Sequence, residues 1–273
     1  MVNPVASSDI STRLVGILWG EIKCGKTTYA MTLPGKKLIV NFDPDGYQSV
    51  LHRDDFDVID FSEMEPREAM NEARKLGSFL KSEEGKVYKS VIFDSLTTFA
   101  FIALRNAIEE GVGKSRTFTP TMDNPGLSAY GGRNNRVNDV IDRLMRATSK
   151  NKQHLFFIAH IDDPEMDGDG KTVIQQTIML PSKIRNLAGI KVSEVYYLEE
   201  TRKGRIIRLK PHGVKRPMGS RIFDTSLVEK LDLTYDINVP DEDQADTLSA
   251  IFAAWETNGR EKLAQQPRKQ AQN

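Results

Sequence analysis

A chain of 273 residues, 39% hydrophobic and 28% charged, is long enough for one large α/β domain with a real core. Its 38 basic and 38 acidic residues balance, so no global field draws it to nucleic acid or to an anionic membrane, and such binding must come from local patches. A lone cysteine excludes an intrachain disulfide, and no apolar run reaches the ~20 residues of a bilayer span, so the expectation is a soluble, cytoplasmic protein without a membrane partner.

In chain order, short apolar runs alternate with stretches of helical period, the pattern of a mostly parallel sheet covered by helices. Strands are expected over 14–19, 37–41, 58–61, 90–93, 155–159, 192–198 and 205–209. Helices are expected over 26–33, 66–80, 97–110, 133–150 and 245–256, the second opened by Pro66 in its first turn. Residues 111–132 mix Gly, Pro, Ser, Thr and Asn around isolated Phe118 and Tyr130, and read as a long loop. Residues 162–171 (DDPEMDGDGK) read as a mobile loop or a hairpin tip. The expected domain plan is a flexible 1–12, an ATPase core over 13–236, a helical C-terminal appendage over 237–263 and a disordered tail over 264–273.

The first expected strand runs into Gly20-Glu21-Ile22-Lys23-Cys24-Gly25-Lys26-Thr27, a full match to GxxxxGK[ST], followed by Thr28 and a helix-compatible stretch. Glycines at both ends let the backbone wrap and aim its N–H groups at phosphate oxygens. The following helix adds the positive end of its dipole. Lys26 is expected to reach the β- and γ-phosphates of ATP, and the Thr27 hydroxyl to ligate Mg2+. Cys24 is read as a small side chain at a variable position of this loop.

Such a loop needs a carboxylate at the end of a neighbouring strand to hold magnesium through its water shell. Ser90-Val91-Ile92-Phe93-Asp94-Ser95 supplies Asp94. Because Ser95 follows, no second acid stands there to activate water, and the search moves to Asn41-Phe42-Asp43-Pro44-Asp45-Gly46. Asp45 sits at a strand's C-terminal edge, where ligands collect in open α/β sheets, and an Asp-Gly turn is the alternative reading.

These residues resemble the RecA superfamily, and more narrowly the short phage RecA-like single-strand annealing proteins and AAA-domain nucleotide-binding proteins, over about residues 14–217. The resemblance implies a RecA-like P-loop NTPase, its mostly parallel twisted sheet flanked by helices, with antiparallel strands on the C-terminal side. It implies Asp45 as catalytic base and His160 as γ-phosphate sensor, where RecA itself carries a glutamine. It also implies Arg208 and Lys210 as a basic pair reaching a neighbouring subunit's ATP, in a ring or filament. Two loops would hold single-stranded DNA, over 111–132 (flanked by Arg133 and Arg136) and 162–181 (flanked by Lys171, Lys183 and Arg185), with Phe118 and Tyr130 as stacking candidates. The function so implied is ATP hydrolysis on single-stranded DNA in phage recombination, annealing or replication, in the host cytoplasm. Two alternatives share the same loop: a small-molecule or nucleotide kinase, and a nucleotide-switched loader of a DNA-processing partner.

Overall fold

The computed structural model describes residues 12–234, 236 and 239–267. The expected flexible start and most of the expected disordered tail lie outside these residues.

Ten strands and six α-helices are described. The strands are β1 (Val15–Gly20), β2 (Lys37–Asn41), β3 (Phe56–Asp60), β4 (Ser90–Asp94), β5 (His154–His160), β6 (Glu165–Met166), β7 (Val173–Gln175), β8 (Glu194–Thr201), β9 (Gly204–Arg208) and β10 (Lys230–Leu233). The helices are α1 (Lys26–Ala30), α2 (Pro66–Phe79), α3 (Leu96–Glu109), α4 (Gly126–Lys150), α5 (Ser182–Lys191) and α6 (Leu248–Thr257). Eight strands form one sheet in the order β10-β9-β8-β1-β5-β4-β2-β3. The six from β8 to β3 are parallel, and β9 and β10 turn back antiparallel. This is the expected RecA-like architecture: β5 lies between the strand entering the phosphate loop and the strand ending in Asp94.

The central strands are buried on both faces, which is why they read as continuous apolar runs. Alternate residues feed two cores. Val15, Ile17 and Trp19 pack with α2, α3, α4 and α5 on one face. Leu14 and Leu18 pack with α1 and α6 on the other, where Leu248, Ile251 and Phe252 of α6 join the same cluster as Tyr29. Thr32 at the end of α1 is bonded to this C-terminal segment, its hydroxyl accepting from Leu248 N at 2.9 Å and its carbonyl from Ser249 N at 3.0 Å.

Three elements depart from expectation. Helix α4 begins at Gly126, seven residues before the expected Arg133, because the glycines that read as loop sit inside it. At Gly132 a Cβ would stand 3.3 Å from Ala107 of α3 and 3.2 Å from Val112 just beyond that helix. Helix α5 and strand β10 were not expected at all. Residues 162–171, in contrast, do form a hairpin tip, with Asp167 N donating to Thr172 O at 2.8 Å.

A charged cluster staples the β2–β3 edge to the C-terminal segment. Arg53 donates to Asp55 from Nε at 2.9 Å and from Nη2 at 2.7 Å, and from Nη2 to Asp241 at 2.8 Å, while buried Lys37 also bonds Asp55. Burial alone would raise Asp55, but the hydrogen bonds from Arg53 and Lys37 outweigh it and hold the carboxyl at about 2 against an ordinary 3.8. A depressed carboxyl pKa contributes stability that is present above the unfolded value and lost as pH falls through the folded one. Denaturation midpoints of wild type and Asp55→Asn should therefore differ by about 1 kcal/mol above pH 4, after allowance for solvent screening, and converge as pH falls toward 2. A gap independent of pH would show that this cluster does not titrate as described.

Candidate nucleotide site

Strand register sets the site. Gly20 at the end of β1 stands level with His160 of β5 and Leu198 of β8, and Asp94 of β4 stands level with Asn41 of β2. The chemistry-bearing residues therefore reach one edge of the sheet, at the C-terminal ends of its parallel strands, where ligands gather in open α/β folds. The loop from Gly20 into α1 arches over this edge. Gly25, which opens α1, has φ 95°, a left-handed conformation that side chains rarely adopt. A Cβ on Gly20 would stand 2.4 Å from Leu198 O, so the loop's first position must also stay bare.

The cleft beneath the arch has a volume of about 810 Å3 and is lined by Ile22, Lys23, Gly25, Lys26, Thr27, Thr28, Asp43, Asp45, Asp94 and His160, with Arg205 at its rim. Nine of the fourteen residues singled out in the sequence for the nucleotide site thus line one cavity, and Gly20, Glu21, Cys24, Arg208 and Lys210 are not part of its lining. Lys26 is buried and donates to Gly20 O at 3.1 Å and Glu21 O at 2.6 Å, so its ammonium occupies the concave side of the loop. Burial lowers its pKa, opposed by the nearby Asp94 and Asp43 carboxylates. Burial also pushes the Cys24 thiol up, which fits a neutral filler rather than a reactive thiolate. Ile22 is 73% exposed at the cleft mouth.

Thr27 Oγ1 donates to Asp94 Oδ2 at 2.6 Å. Asp94 is only 3% exposed, and burial raises its pKa to about 6 even though Thr27 hydrogen-bonds it; the Asp43 charge adds to the rise. The Asp94–Ser95 peptide is cis. A hydroxyl paired with a buried carboxylate, beside a buried ammonium and a ring of loop N–H groups, is the donor and acceptor set that a magnesium–triphosphate takes. Magnesium keeps most of its water shell and needs only one or two protein oxygens. Thr27 and Asp94 fit that requirement, and Lys26 fits the phosphates.

The two acidic residues after β2 part company. Asp43 is partly buried and accepts from Ser95 Oγ at 3.4 Å, from Thr98 Oγ1, and stands 3.4 Å from His160 Nε2. Burial alone would raise it, but the hydrogen bonds from His160, Thr98 and Ser95 hold it below the ordinary range, so it is ionised. Asp45 is exposed at φ 55°, on a turn whose carbonyl accepts from Gln48 N at 3.0 Å. His160 is itself placed by its backbone N–H, which donates to Thr97 Oγ1 at 3.0 Å, and its Nδ1 is buried without a hydrogen-bond partner among the described residues. Ser95, Thr97 and Thr98 of the α3 start were missed as site residues. The signal was present in the three hydroxyl side chains among the four residues after Asp94.

Arg208 and Lys210 stand outside the cleft. Arg208 Nε donates to Glu199 Oε2 at 2.6 Å, and Lys210 pairs with Glu229. The arginine that does enter the site is Arg205, at the start of β9.

The fold and site define a P-loop nucleotide-binding domain of the RecA-like kind. The chain belongs to a family of AAA domains, whose family model matches residues 12–219. Among solved structures, the crystal structure of the RadB recombinase aligns with a TM-score of 0.40 and 15% identity, over 76% of this chain and 84% of that one. No curated protein matches the chain. Among the described residues no helix is long and apolar enough to cross a membrane.

Because the folded pKa of Asp94 lies above the ordinary 3.8, the protonated carboxyl stabilises the nucleotide-free fold below pH 4. That contribution is lost as pH rises through about 6. Asp94→Asn should thus stabilise the nucleotide-free protein by about 1–3 kcal/mol at pH 7 and by little at pH 4, while removing the magnesium dependence of nucleotide binding. Thermal denaturation at the two pH values checks it, and an Asn variant less stable than wild type at pH 7 would refute it.

Proposed function

We propose that this chain is a magnesium-dependent ATPase of the RecA type that works as a ring or filament on single-stranded DNA in phage recombination, annealing or replication, within the host cytoplasm. The observation that carries the reading is the convergence of Asp43, Asp94 and His160 on the edge of the sheet beside Lys26 and Thr27.

In this reading the loop N–H groups and Lys26 would bind the triphosphate, and Thr27 with Asp94 would hold the metal, which would supply charge neutralisation. Water activation falls to the acidic pair after β2. Asp43, ionised and held by three side chains, is oriented to take a proton from a water near the terminal phosphate. Asp45, expected from the RecA resemblance to be the base, lies at the mouth and has no comparable support. His160, bonded to Asp43, takes the sensor role, able to respond when the Asp43 environment changes.

Single-stranded DNA binding draws its support from the two segments that flank His160 and α3. Exposed Met166 and Ile174 lie on the β6–β7 hairpin, with Lys171 near its tip. Tyr130 is 39% exposed at the start of α4, with Arg133 4.8 Å from its ring centroid. An aromatic face with an adjacent guanidinium is the element on which bases stack. Arg136 serves a different end, since it is bound to Glu110 and to Asn106. If subunits share sites, Arg208 and Lys210 act on a neighbour's nucleotide only after leaving Glu199 and Glu229.

The deciding measurement is ATP turnover with and without single-stranded DNA, read alongside particle size. Lys26→Ala should lose binding and turnover. Asp43→Asn should keep nucleotide binding and lower turnover by about 10²–10⁴-fold, and Asp45→Asn should lower it far less. The reverse order would return the base role to Asp45. Turnover indifferent to DNA, with phosphoryl transfer to a small acceptor, would replace the reading by the kinase alternative. Slow turnover released only by a stoichiometric protein partner would replace it by the loader.

A further inference from the structure

The triphosphate cleft accounts for one end of a nucleotide. Asp94, on β4, marks where the terminal phosphate and metal lie, on the β4 side of β1. The other end of the nucleotide must leave in the opposite direction, toward β8 and β9. A second cavity of about 280 Å3 lies there, lined by Gly25, Thr28, Leu198, Glu200, Arg205 and Leu233. It shares Gly25, Thr28 and Arg205 with the phosphate cleft, so the two cavities adjoin at the loop.

Arg205 separates the two parts. Its guanidinium carbon stands 3.1 Å from where a Cβ of Gly25 would be, so the flat group lies against the bare backbone of the phosphate loop. On this stretch Arg208 is engaged by Glu199, Lys210 by Glu229 and Lys215 by the Tyr197 hydroxyl at 2.5 Å, whereas Arg202, Lys203 and Arg216 lie outside both cavities. Arg205 has no ion-pair or hydrogen-bond partner among the described residues, although Glu200 is its register partner on β8. Gly25, at φ 95°, leaves bare the space against which the guanidinium lies, and the Arg205 side chain is otherwise exposed.

We propose that the β8–β9 hairpin is the nucleoside subsite, in which Arg205 stacks on the base of the bound nucleotide over a floor of Leu198 and Leu233. This rests on the nucleotide-binding reading above and adds to it the half of the ligand that the loop motif does not read. A planar guanidinium stacks on an aromatic face where an ammonium gives only a point charge. The rim carboxylate of Glu200 supplies an acceptor for a ribose hydroxyl or a ring amino group.

The test separates the base from the phosphates, using the full chain and titration calorimetry with magnesium-ATP and with magnesium tripolyphosphate. Wild type should bind ATP more tightly than tripolyphosphate. Arg205→Ala should weaken ATP by about fivefold to thirtyfold, the range for a guanidinium on a desolvated ring, and leave tripolyphosphate within about twofold. Arg205→Lys should behave like the alanine variant, because it keeps the charge and loses the plane. An equal loss for both ligands would make Arg205 a phosphate contact and overturn the proposal, as would no loss for either. Full rescue by lysine would overturn it too. Lys26→Ala should lose both ligands; if wild type itself binds neither, the nucleotide reading fails, a result distinct from any Arg205 outcome. Arg205 is exposed on a hairpin, so its variants fold.

Discussion

Two strand spacings, about 10 Å, separate the end of β1 from the end of β4, because β5 lies between them. The hydrogen bond from Thr27 to Asp94 closes this gap. Only a loop that climbs off β1, arches over the tip of β5 and starts a helix on the far side can bring a hydroxyl to that carboxylate. The bare Gly20 and the left-handed Gly25 permit the arch. Once it is in place, the strand beneath it must end in a residue that tolerates the cleft, and that residue is His160. The insertion of one strand thus creates both the distance that the loop spans and the position from which His160 meets Asp43.

The electrostatics of the cleft follow from that closure. Asp94 is buried by the same arch that lets Thr27 reach it, so its charge is destabilising until a cation arrives. Asp43 lies two residues beyond the end of β2 and escapes the same fate because the first turn of α3 turns hydroxyl groups toward it. Burial and the neighbouring Asp43 charge push Asp94 toward the neutral form, while hydrogen bonds hold Asp43 in the ionised form, the split that the proposed reading assigns to a metal-holding acid and a proton-accepting base.

The phosphate loop, the carboxylate at the end of β4 and the parallel sheet were legible in the sequence because each is a local pattern: a glycine spacing, an apolar run, a polar residue at its end. Position along the chain does not distinguish Asp43 from Asp45, since both follow β2 within a turn, and the hydroxyl groups of α3 that hold Asp43 come some 50 residues later. The start of α4 was hidden for a related reason. Gly131 and Gly132 read as loop because glycine is a poor helix former, yet Gly131 faces open space inside the helix while Gly132 packs against Ala107 of α3. Among the described side chains of helix α5, Ile184 alone is buried in the core, so its periodic signal is faint. Strand β10 is a four-residue edge strand with alternating exposure, too short to stand out from the surrounding charges.

The basic strand β9 shows how a two-residue period can divide one charged run between tasks. Ile207 packs on the α1 side with Cys24 and Tyr29, so Arg205, two residues before it, faces the phosphate loop. Arg208 takes the opposite face, with Tyr197 as its register partner and Glu199 as its ion pair, on the side where Trp19 packs. Reading the run as a single patch assigns all its charge one purpose; reading its alternation gives two. The face that carries Arg205 lines the cleft of its own chain. The face that carries Arg208 is already neutralised within the chain, so any use of it by a neighbour must displace Glu199 first. A contact that has to break an internal ion pair responds to the state of the neighbour's site, whereas Arg205 is committed to its own.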